Sequence, residues 1–70
     1  MDWTHVVEQY SAIVWRTINR LVPETADAAD CFQATFISAW QLSQKQPIRN
    51  WSALLRQLAT ARALERCREL

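Results

Sequence analysis

The seventy residues include no glycine, where average usage would supply about five, and this constrains the fold more than any other feature. Tight hairpins need a residue that accepts positive φ, and glycine is the usual one. A chain without it is expected to be built from helices. The two prolines, Pro23 and Pro47, then act as punctuation, because proline disfavours helix in the residue before it. The expected architecture is all-α: a compact three-helix bundle with helices over residues 3–22, 25–43 and 50–69, forming one domain.

Periodicity supports each helix. In the first, Trp3, Val7, Tyr10, Val14, Ile18 and Leu21 recur at helical spacing, flanked by Val6, Ile13 and Thr17. His5, Glu8, Gln9, Arg16, Asn19 and Arg20 take the opposite side, with Asp2 or Thr4 as the cap. Trp15 falls at the edge of the apolar face. In the second, Thr25 is the expected N-cap, and Ala29, Phe32, Phe36, Ala39, Trp40 and Ser43 form the inward stripe. Asn50 caps the third, which turns Trp51, Leu54, Leu55, Leu58 and Ala59 inward. Its apolar stripe weakens after Ala59, so the last turns are expected to fray or to be completed by a partner.

Several classes of function are disfavoured. No stretch approaches the roughly 20 apolar residues of a membrane span. Met1 is followed at once by Asp2 and Trp3, without the basic start of a signal peptide, which predicts a cytoplasmic protein. Cys31, Cys67 and the single histidine, His5, cannot compose the usual tetrahedral zinc site or a disulfide framework. Both thiols are expected to be reduced. No phosphate-binding glycine loop, catalytic triad or paired buried carboxylates can be assembled, so no cofactor and no enzymatic activity are expected.

The net charge of +1 hides an asymmetry. Residues 24–44 hold Glu24, Asp27 and Asp30 and no basic residue, whereas residues 45–70 hold six basic residues against Glu65 and Glu69. On the second helix, Asp27, Asp30, Ala34, Ile37 and Gln41 recur at intervals of three and four, forming a seam away from the core, with Gln33 alongside. The seam is either a docking surface for a basic partner helix or an ordinary surface with one stray isoleucine. Lys45, Arg49, Arg56, Arg62, Arg66 and Arg68 are read as surrounding Trp51. Basic groups attract phosphates and an aromatic ring can stack on an unpaired base; alternatively Trp51 closes the core and the arginines are merely solvated.

The run from Ala26 to Trp40, with Asp27, Ala28, Asp30, Gln33, Thr35 and Phe36, resembles the region 2.2 signature of the bacterial extracytoplasmic-function (ECF) sigma factors. The run from Asn50 to Arg66 resembles region 2.4, and Tyr10, Val14, Trp15, Arg16, Arg20 and Leu21 are similar to region 2.1. The order of these motifs makes the resemblance specific over nearly the whole chain. It implies a domain that docks on the β′ clamp helices of RNA polymerase through Asp27, Asp30 and Gln33, to which the seam adds Ile37 and Gln41. It also implies that Lys45, Arg49, Trp51, Arg56, Arg62 and Arg66 meet the opened non-template strand of the −10 promoter element. Melting costs a few kcal/mol, which phosphate contacts and a pocket for an extruded base would offset.

The chain departs from that pattern. Ala29 and Ala34 stand where glutamates are usual, and Ala61 where an asparagine is common. No counterpart of region 4, the helix-turn-helix reader of the −35 element, follows before Leu70, so inefficient initiation by this chain alone is expected. A second expectation is a helical interaction module, for example for an anti-sigma factor, without useful DNA affinity. A third, an accessory domain of an enzyme, is disfavoured by the missing catalytic groups.

Overall fold

A computed structural model describes residues 2–69, with only the backbone at position 69, and forms the expected three-helix bundle. The helices are α1 (Trp3–Leu21), α2 (Thr25–Lys45) and α3 (Trp51–Glu69), and every pair of them packs together. Asp2 caps α1, its Oδ1 accepting from the Thr4 amide at 3.1 Å. Pro23 holds Val22 extended (φ −122°, ψ 97°), so α1 stops at Leu21. Val22 thereby turns inward and is fully buried, while Leu21 stays 36% exposed instead of joining the stripe.

Glu24, not Thr25, is the N-cap of α2. Its extended backbone offers its carbonyl to the Ala28 amide at 2.9 Å, and Thr25 is already helical. The helix also outruns its expected end at Ser43. Gln44 and Lys45 are good helix formers, and the break comes only at Gln46, held extended before Pro47. Asn50 caps α3 as expected, with Oδ1 3.0 Å from the Ala53 amide. Asn50→Ala is expected to cost about 1 kcal/mol, read as a lower urea midpoint with unchanged slope.

The core joins Val14, Ile18 and Val22 of the first helix region to Ala28, Cys31, Phe36 and Ala39 of α2 and Leu55, Ala59 and Ala63 of α3. Thr35 is buried among them and satisfied by its own helix, its Oγ1 donating to the Cys31 carbonyl at 2.7 Å. The inward face of α2 is therefore rotated from the expected stripe. Ala29 is exposed, Trp40 is 46% exposed, and Phe32 and Ser43 are half-buried. Small side chains permit closer approach of helices, so Ala28, Cys31, Thr35 and Ala39 take the centre. Phe32 lies at the rim and meets Trp15 edge-on at 5.2 Å, while Phe36, buried as expected, meets Trp3 edge-on at 6.1 Å.

The expected fraying of α3 is also corrected. Ala63 extends the buried stripe by one turn, and helix continues through Glu69. The Cys67 thiol donates to the Leu21 carbonyl at 3.1 Å, occupying an acceptor at the end of α1 that has no helical donor. Among the described residues, no helix is long and apolar enough to cross a membrane.

Candidate functional site

Two surfaces follow from how the helices are turned. With Cys31, Thr35 and Ala39 inward, the 3.6-residue period sends Asp30, Ile37 and Gln41 outward. Asp30, Gln33, Ile37 and Gln41 are exposed, Ile37 at 57%, while Asp27 and Ala34 are half-buried toward α3. From Asp27 to Gln41 the seam is about 21 Å long at 1.5 Å per residue.

The flank of the seam nearest α3 is not bare. Arg66 reaches across to both acids, its Nη1 3.8 Å from Asp27 Oδ1 and its Nη2 3.4 Å from Asp30 Oδ2. One turn earlier, Arg62 donates to Ser38 Oγ at 2.8 Å and pairs with Glu65 at 3.2 Å. The Cys31 thiol lies 3.7 Å from the Arg62 carbonyl. Asp30, Cys31, Ala34, Arg62, Glu65 and Arg66 line a notch of about 130 Å³ between the two helices.

The other flank is apolar. An open groove of about 360 Å³ between α1 and α2 is lined by Ser11, Ala12, Trp15, Ala29, Phe32 and Gln33. A second, of about 350 Å³, is lined by Trp3, Phe36, Ile37 and Trp40. Sequence reasoning missed Trp40 here by assigning it to the core. Its spacing of three from Ile37 was the available signal, because that places both on neighbouring faces of α2.

The second surface lies where α2 ends and α3 begins. Lys45, Arg49 and Arg56 are exposed there, with Trp51 half-buried in the first turn of α3. Arg56 folds back on its own helix, its Nη2 3.1 Å from Ser52 Oγ. Trp51 packs edge-on against Trp3 at 5.9 Å, so one part of its ring closes the bundle. Arg62 and Arg66 do not surround Trp51. Arg66 is 15 residues further along α3, about 22 Å away. The six basic residues thus divide into Lys45, Arg49 and Arg56 around the 46–50 connection, Arg62 and Arg66 set against the acidic seam, and Arg68 exposed further along α3.

Among the described residues, every buried side-chain nitrogen and oxygen has a hydrogen-bond partner, and no three possible metal ligands cluster. The polar groups with room for a partner therefore lie at the exterior, those of the two surfaces among them.

Comparison with known proteins agrees with this geometry. Searches of curated proteins and of solved structures return no match. The family model described as Sigma-70 region 2 matches residues 6–70, which takes in all but the first turn of the bundle. Domains of that family serve transcription initiation, where they bind RNA polymerase and take part in recognising the −10 promoter element. A helical bundle with the matched sequence running through all three of its helices leaves one assignment: the chain belongs to the sigma-70 region 2 family.

Proposed function

We propose that this chain is the region 2 domain of an ECF-type sigma factor, acting in the cytoplasm. In this reading Asp27, Asp30, Gln33, Ile37 and Gln41 dock on the β′ clamp helices of RNA polymerase. Lys45, Arg49, Trp51 and Arg56 then hold the opened non-template strand of the −10 element. The observation that carries the reading is the seam itself, a row of acidic, amide and apolar side chains left outward on a helix whose sequence matches the family. Phosphate contacts would supply most of the DNA affinity, and the exposed part of Trp51 a surface on which an extruded base stacks.

Titration with RNA polymerase core enzyme tests the docking half. Asp30→Ala and Gln33→Ala are each expected to weaken binding by about fivefold or more, the scale of one lost interfacial polar contact. No saturable binding by the folded wild-type domain would overturn the reading.

The engagement of Arg62 and Arg66 with α2 favours one alternative, a module for a protein partner such as an anti-sigma factor with little affinity for DNA. Fewer free cations lower the attraction to phosphate, whereas the exposed Trp15 and Trp40 suit a protein surface. Binding to single-stranded promoter DNA that weakens as salt rises separates the two.

A further inference from the structure

The acidic seam is already occupied from within. Between Glu24 and Gln44 there is no lysine or arginine, and Lys45 lies 15 residues beyond Asp30, so α2 has no cation within reach of its own carboxylates. The cation comes from 36 to 39 residues away, where one guanidinium spans Asp27 on one turn and Asp30 on the next. Its planar fork suits two acceptors at once, which an ammonium cannot match.

We propose that Arg66 is an internal competitor for the docking seam, holding Asp27 and Asp30 in the free domain and yielding them when a basic partner arrives. The inference rests on the docking role proposed above and names the residue that sets its affinity. A partner cation brought to Asp30 would meet Arg66 at close range, and two like charges on one carboxylate pair repel. Either Arg66 swings out or the partner binds less well. The contact is built to yield: the Arg66, Asp30 and Asp27 side chains are 32%, 64% and 24% exposed, and ion pairs within reach of water are weak and salt-screened. The device therefore tunes affinity and does not block docking. A partner that brings a cation of its own is admitted, and one that brings a carboxylate meets acids that stay net negative and gains nothing from displacing Arg66.

The test is a titration with RNA polymerase core enzyme at low salt. Arg66→Gln is expected to tighten binding about three- to fivefold. Arg66→Lys, which keeps the charge and loses the fork, should fall between it and wild type. Arg68→Gln removes the same charge from an exposed position on α3 and should change affinity less than about twofold. The gain from Arg66→Gln should disappear in the Asp27→Asn/Asp30→Asn background. Far-ultraviolet circular dichroism establishes that each variant is folded. Binding that Asp30→Asn weakens but Arg66→Gln leaves unchanged or weakens would overturn the competitor and keep the docking reading. Absence of binding by the wild type would remove the docking reading and this inference with it.

Discussion

Leu55→Ala is expected to leave the domain largely unfolded. Leu55 is fully buried and, with Ile18, one of the two largest side chains to be so. Removing a buried leucine costs about 2–5 kcal/mol, through lost transfer energy and the cavity left behind. A chain of this size draws no more than about 3–5 kcal/mol from its core. The two figures are comparable, and a core with four alanines among its ten buried residues has few long side chains to fill the gap. Urea unfolding followed by circular dichroism should show a midpoint near zero denaturant. Leu64→Ala, at a site 47% exposed, should change the stability by no more than about 0.5 kcal/mol. Equal effects from the two substitutions would mean that the core is not where the structure puts it.

The largest functional effect is expected from removing the basic group at the α2–α3 junction. Each phosphate contact to single-stranded DNA contributes about 0.7 to the slope of log K against log salt. Lys45→Gln/Arg49→Gln/Arg56→Gln should therefore flatten that slope by about 2 and lower affinity at low salt by about tenfold or more. All three side chains are exposed, so the bundle should persist, with Arg56 giving up only its local bonds to Ser52. Arg66→Gln, turned toward the acids and about 22 Å from Trp51, should leave the slope nearly unchanged. An unchanged slope in the triple variant would move the balance to a protein-binding module.

Element existence was legible because three independent signals agreed: glycine was absent, two prolines cut the chain, and apolar residues followed a helical period. The cap at Asn50 was equally plain, and that of α1 was narrowed to Asp2 or Thr4, since such a side chain acts within three residues of itself. What failed was the ranking of residues on α2. Hydrophobicity places Phe32 and Trp40 before Cys31 and Thr35, but at the centre of three close helices size decides, and the small side chains win. The end of α3 was misread for a related reason. Arg62 and Arg66 look like solvent residues until α2 supplies Ser38, Asp27 and Asp30 from 24 to 39 positions away. No local pattern carries that information. The outward part of the seam, Asp30, Ile37 and Gln41, was legible from helix geometry; the half-burial of Asp27 and Ala34 against α3 and the internal counter-ion were not.

The placement of the four tryptophans makes the domain its own optical instrument. Trp15 borders one apolar groove, Trp40 the other, and Trp51 the basic junction, each with part of its indole in water. Indole emission shifts to shorter wavelength when water leaves the ring, so a ligand settling on any of these surfaces changes the colour of the unlabelled protein. Replacing Trp15, Trp40 or Trp51 in turn by phenylalanine would tell which face was covered, without attaching a dye to either partner.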